Sequence, residues 1–147
     1  MEISNLKRFL SIDYGTKRIG LALSDPLKTF AYPYKTVINN SKILTELKKI
    51  ISEKNIEKII LGFPLKEDGS ESILTKEVTA FKSKLEKIFP FEILFRDERY
   101  SSSIAAEQIK QSVTKKSKRK QKSLLDSGAA AIILQDYLDE RRRGNWL

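Results

Sequence analysis

The chain has 147 residues, a formal net charge of +9, 40% hydrophobic and 32% charged residues, the composition of a globular domain that buries its own core. It contains no cysteine and no histidine, which excludes disulfides, thiolate metal sites, imidazole bases and Ser–His–Asp triads. No segment approaches the about 20 apolar residues of a membrane span, and the first eight residues lack a signal peptide's apolar stretch, so a cytoplasmic protein with no membrane partner is expected, with a single domain over residues 1–147.

Residues 9–13 alternate in polarity and predict a first strand. Gly15 and the polar Thr16-Lys17-Arg18 predict a turn, and residues 19–25 a second strand with Ile19, Leu21 and Leu23 on one face and small residues on the other. Residues 34–38 predict a third strand, so the chain opens as an antiparallel meander. Asn40 is a candidate cap for a helix carrying Ile43, Leu44, Leu47, Ile50 and Ile51 at helical spacing. Residues 56–63 read as a buried strand followed by an exposed loop through Gly69. Leu74, Val78, Phe81, Leu85 and Ile88 mark a second helix closed by Pro90. Residues 91–96 predict a fifth strand, a short helix begins near Ser101, a basic loop covers 115–122, and a last helix runs from about 123 to 141. This order predicts an α/β fold: a mixed five-stranded sheet, antiparallel meander then parallel strands, flanked by helices.

With histidine and cysteine absent, acid–base or metal chemistry must rest on Asp, Glu, Lys, Tyr, Ser or Thr, and three acidic positions stand out. Asp13 ends the first strand, where a carboxylate beside a glycine turn can be a turn former. Glu98 follows the fifth strand in Arg96-Asp97-Glu98-Arg99, a run equally suited to surface ion pairing. Asp126 falls at helical spacing in line with Ala130, Ile133 and Tyr137, on an apolar stripe where an unpaired carboxylate is costly. A metal ion or a buried Lys or Arg partner would make it tolerable. If the three converge beneath the last helix, their oxygens suit hard cations, Mg²⁺ or Mn²⁺, which activate water for phosphodiester cleavage without histidine.

Residues 110–147 carry ten Lys and Arg against four Asp and Glu. Lys115, Lys116, Lys118, Arg119 and Lys120 form the densest run, and Arg141, Arg142 and Arg143 a second cluster. Such a field points to nucleic acid, because phosphate contacts supply most sequence-independent affinity. Lys17 and Arg18, in the turn beside Asp13, and Arg99, beside Glu98, are further candidates for phosphate contact. The basic loop is expected to be mobile when free and to order on nucleic acid, whereas Ser101 and Ser102 read as helix caps.

The segment from Leu10 through Asp13-Tyr14-Gly15-Thr16-Lys17-Arg18-Ile19-Gly20 to Asp25 resembles the opening signature of the YqgF/RuvX family. Gly62-Phe63-Pro64-Leu65 with Asp68-Gly69-Ser70, Asp97-Glu98-Arg99-Tyr100-Ser101-Ser102, and the helix from Asp126 through Gly128-Ala129-Ala130-Ala131 to Leu138 follow in family order. The resemblance implies an RNase H-like fold related to the RuvC Holliday-junction resolvases. It also implies a nuclease maturing the 5′ end of precursor 16S ribosomal RNA, with the ribosome as a possible partner. By position it assigns Asp13, Glu98 and Asp126 as catalytic, metal-binding carboxylates. One departure stands out: the fourth strand ends in Gly62-Phe63-Pro64 where the resolvases carry a glutamate, so the second carboxylate must come from Asp97 or Glu98.

Two other readings compete, junction-specific DNA cleavage and a non-catalytic RNA-binding assembly factor. Asp13-Tyr14-Gly15-Thr16 also resembles the phosphate turn of actin-like ATPases, but 147 residues supply only one of the two lobes those proteins need. A monomer or weak homodimer is expected, since no long apolar surface is evident in the sequence.

Overall fold

A computed structural model describes the backbone of residues 6–98 and 118–144 and, in the second stretch, the side chains from 126 onward. Five strands, β1 (Arg8–Asp13), β2 (Arg18–Ser24), β3 (Ala31–Ile38), β4 (Ile56–Phe63) and β5 (Ile93–Asp97), form one sheet in the order β3-β2-β1-β4-β5. The β1/β2 and β2/β3 pairs are antiparallel, and the β1/β4 and β4/β5 pairs parallel. This is the mixed sheet that the element order predicts.

Helices α1 (Ile43–Glu53) and α2 (Ile73–Ile88) cover one face, and α3 (Lys118–Arg142) the other. The central strands are therefore buried on both sides. Leu10 and Ile12 of β1 join Leu47, Ile50, Val78, Phe81 and Leu85 in one apolar layer. Phe9 and Ile60 face the other way, onto Ile133, Leu134, Tyr137 and Leu138 of α3. Burying a large apolar side chain of this kind contributes about 1.5–3 kcal/mol, so the two layers hold the sheet between them. Among the described residues no helix is long and apolar enough to cross a membrane.

Several boundaries differ from the sequence expectation for identifiable reasons. β3 begins at Ala31 rather than residue 34, because its ladder with β2 runs on to Ala31 opposite Ser24; there the Gln135 side chain accepts from the Ala31 amide at 2.8 Å and donates to the Thr29 carbonyl at 3.1 Å. Asn40 does not cap α1. Its side chain accepts from the Lys42 amide at 2.9 Å within a preceding turn, and Lys42 is the N-cap residue with no side-chain cap. α2 opens on a capping box between Ser72 and Thr75, and the buried Thr75 hydroxyl also donates to the Pro64 carbonyl. β5 spans Ile93–Asp97, two residues later at its start than expected.

The largest correction concerns the basic run. Lys118, Arg119, Lys120 and Lys122 are not in a loop but form the first turns of α3, which starts five residues before the expected position. Lysine, arginine and glutamine are good helix formers and no glycine or proline interrupts them, so charge density alone was a poor sign of a loop. The short helix expected near Ser101, its serine caps, and Lys115 and Lys116 lie outside the described residues.

Candidate active site

The site is assembled at the C-terminal ends of β1 and β5. Ser11 and Asp13 face α3, because side chains alternate along a strand and the Ser11 hydroxyl donates to the Ala130 carbonyl at 2.5 Å. The same alternation runs through β5. Ile93 joins the α1/α2 layer while Leu94 packs against the α3 layer. Asp97 therefore falls with Ile93 and Phe95, away from α3, and Glu98 follows on the α3 side. The carboxyl groups of Asp13 and Glu98 meet there and hydrogen-bond each other. Of the two acidic residues left open by the sequence, Glu98 is thus the one beside Asp13.

Gly62 makes this possible. A Cβ at position 62 would collide with the Glu98 Oε1 atom and touch the Ile133 Cδ1 atom at 3.0 Å. The Glu98 carboxylate thus reaches Asp13 across ground that any larger residue would occupy.

Asp126 is brought in by a second close approach. Gly20 is the Cα partner of Asp13 in the β1/β2 ladder. A Cβ on Gly20 would collide with the Asp126 carbonyl and approach the Ser127 amide at 2.8 Å. Gly20, Gly128 and the alanines that follow let α3 press onto the sheet at this point, with Ala130 fully buried. Asp126 is not the deeply buried carboxylate that its stripe suggests. It is half-buried at the edge of the stripe, above buried Ala130, Ile133 and Tyr137, and its Oδ2 accepts from the Arg18 Nε at 3.2 Å. Arg18 opens β2, and Lys17 is exposed in the turn before it.

Electrostatics set the resting state. Burial, the negative charge and hydrogen bond of Glu98, and the charge of Asp126 push the Asp13 carboxyl up to about 9. Burial also raises Glu98; accepting the Asp13 hydrogen bond opposes that rise, and the Asp97 charge adds to it. Asp13 therefore keeps its proton at neutral pH and donates it to Glu98, as expected when two carboxylates share a desolvated site.

Among the described residues no three acidic groups stand close enough together to hold a metal ion as they are. Two adjoining carboxylates hold a proton they would ordinarily lose, and a third is paired with a cation. The donors are all carboxylate oxygens. Such a set fits a hard divalent cation, whose charge would relieve the repulsion that now keeps the proton in place.

The remaining sequence candidates fall into two groups. Lys118, Arg119 and Lys120 are in the first turn of α3, the helix that also carries Asp126. Arg99, Lys115 and Lys116 lie outside the described residues. The second aspartate of the opening signature, Asp25, has a different task. Although burial opposes it, the amides of Phe30, Thr29 and Leu27 hold its carboxyl below the usual range, and it organises the β2–β3 turn.

Solved structures share this fold. The chain aligns with Thermus thermophilus RuvC in complex with a Holliday junction substrate at TM-score 0.54 and 13% identity, covering 92% of this chain and 96% of that one. The fowlpox virus resolvase bound to Holliday junction DNA gives TM-score 0.55 at 14% identity, covering 91% and 98%. At these identities the likeness shows the RNase H-like fold. Sequence relatives are much nearer. A protein of Maridesulfovibrio salexigens named "Putative pre-16S rRNA nuclease" is 41% identical over 133 residues, 89% of this chain and 97% of its own length. One of the same name from Chlorobaculum tepidum is 38% identical over 140 residues, 95% of this chain and 98% of its own. The RuvX family model, described as a Holliday junction resolvase, matches residues 7–140. This chain belongs to the RuvX family.

Proposed function

We propose that this protein is a metal-dependent nuclease, a phosphodiester hydrolase that matures the 5′ end of precursor 16S rRNA in the cytoplasm. The observation that carries the reading is the Asp13–Glu98 carboxyl pair, held together at the end of the sheet with Asp126 on the adjoining helix. Asp13, Glu98 and Asp126 are the residues that would hold Mg²⁺ or Mn²⁺. A divalent ion so placed would supply an activated water and charge stabilisation for the leaving oxygen.

The protein's own groups do the rest. Asp13 must give up its proton for the pair to serve as ligands. Lys17, exposed in the turn between β1 and β2, and Arg18 would meet phosphates flanking the scissile one. Lys118, Arg119 and Lys120, in the first turn of α3 and joined by Lys115, Lys116 and Arg99, supply non-specific affinity for the strand. The names of these sequence relatives favour ribosomal RNA as substrate. The family description favours a second reading, cleavage of a four-way DNA junction.

Labelled precursor 16S rRNA and a four-way DNA junction, each incubated with equal Mg²⁺ or Mn²⁺, separate the readings. Metal-dependent trimming of the RNA with an intact junction is expected. Cutting of the junction alone would replace the ribosomal reading with the resolvase one. Cutting of neither by folded protein would leave a binding factor.

A further inference from the structure

Arg18 and Asp126 make an ion pair that reaches one of the site carboxylates. Its position is odd for a structural bridge. The two side chains are 41% and 32% exposed, and a pair that open to water is worth about 0–1 kcal/mol. The join between α3 and the sheet is already secured by the Ser11–Ala130 hydrogen bond and by Ile133, Leu134, Tyr137 and Leu138. What the pair does accomplish is electrostatic. The Arg18 guanidinium sits on the Asp126 carboxylate, its Nε 3.2 Å from Oδ2, and so neutralises a charge at the edge of the site.

We propose that Arg18 is a built-in counter-ion which holds the place of the metal's charge at Asp126 and swings away when a divalent cation binds. The inference rests on the reading of Asp126 as a metal ligand. A cation cannot take the Asp126 oxygen at full strength while the guanidinium remains hydrogen-bonded to it, and two positive groups at one carboxylate repel. Because the pair is half-exposed, little is lost when it opens, and Arg18 opens β2 directly after the exposed turn that holds Lys17. Its long side chain then has a new use. A guanidinium released next to a newly bound dication is placed to grip a substrate phosphate with a forked pair of hydrogen bonds. Arg18 is therefore a positioning residue that acts first on the metal and then on the strand, and its removal should push these two affinities in opposite directions.

The test is Mn²⁺ titration without nucleic acid, followed by electron paramagnetic resonance of the free ion, for wild type, Arg18→Gln, Arg18→Lys and Asp126→Asn. Binding of a labelled RNA in Ca²⁺ is measured for the same proteins, with melting curves to confirm that each is folded. Arg18→Gln is expected to bind Mn²⁺ more tightly, on the order of threefold to tenfold, and RNA more weakly. Arg18→Lys, which keeps the charge, should stay within about twofold of wild type for Mn²⁺. Asp126→Asn should weaken Mn²⁺ binding. If Asp126→Asn weakens Mn²⁺ binding while Arg18→Gln leaves it unchanged or weaker, Arg18 is a structural partner and the counter-ion proposal is wrong. If Asp126→Asn has no effect on Mn²⁺, the assignment of Asp126 as a ligand falls and the proposal falls with it.

Discussion

The Glu98 carboxylate lies in the space that a side chain at position 62 would fill, and Gly62 is what lets it reach Asp13. One strand thus gives up its side chain so that the neighbouring strand's glutamate can take its ground. Gly62 stands one residue before the end of β4, and Glu98 directly follows β5.

This relationship makes Gly62→Ala an informative variant. The added methyl meets the far end of a flexible carboxylate before it meets backbone, so the fold should survive with a melting temperature within a few degrees of wild type. Glu98 must move, and displacement of a catalytic group by about 1 Å can cost on the order of 100-fold in rate. Cleavage assays beside melting curves would check the separation; activity near the wild-type level would mean that Glu98 does not work from this position.

Gly20→Ala should behave differently. Its methyl would strike the Asp126 backbone, which cannot step aside without lifting α3 off β2. Overpacking of this kind costs about 1–3 kcal/mol, or about 2–4 °C in melting temperature per kcal/mol for a chain of this length. Thermal denaturation should show that loss together with reduced cleavage.

The stability of the metal-free protein should depend on pH in a particular direction. Asp13 titrates at about 9 when folded, against an ordinary value of 3.8. Between those values the folded chain holds a proton that the unfolded chain has released, so stability falls as pH rises. The benefit is complete below about 4 and is lost as pH climbs through about 9. Asp13→Asn should therefore raise the melting temperature at pH 8 and change it much less at pH 4. Melting curves across pH 4–9 without metal would show it, and equal shifts at both ends would contradict a raised Asp13.

A charge reversal at Lys118, Arg119 and Lys120 should weaken RNA and DNA binding alike and flatten its salt dependence. Each lost phosphate contact removes about 0.7–0.9 from the slope of log affinity against log salt. Binding measured from 50 to 200 mM salt would detect the triple change; an unaltered slope would take the start of α3 out of the interface.

Much of the fold was legible because its signals are local and redundant. The alternation in β1 and β2, the apolar spacing in α1 and α2, and the Gly-Ala run in α3 each select one structure. Legibility stopped where a tertiary partner decides the outcome. Nothing near Ala31 announces that β3 will pair with β2 as far as Ser24, or that Gln135, far along the chain, will bind the Ala31 amide. The charge run at 118–122 carries no apolar periodicity to mark a helix, yet its residues are good helix formers and begin α3. The site was readable in part. Asp13 and Glu98 are brought together as their motifs imply, but the choice of Glu98 over Asp97 needed the strand register. Asp126 was expected on a buried stripe, and its half-exposed pairing with Arg18 depends on the start of a strand 108 residues away. The roles of Gly20 and Gly62 carried a faint sequence signal, small residues among branched ones, whose meaning appears only when the neighbouring element is in place.

The central claim is that Asp13, Glu98 and Asp126 act together through a divalent metal. Single-turnover cleavage of precursor 16S rRNA, compared among wild type, Asp13→Asn, Glu98→Gln and Asp126→Asn over a Mn²⁺ series, tests it most directly. Metal-dependent cutting by the wild type, with at least about a 100-fold loss in each folded variant, is the predicted result. Cutting that persists without divalent metal, or at near wild-type rate in any of the three variants, would contradict it.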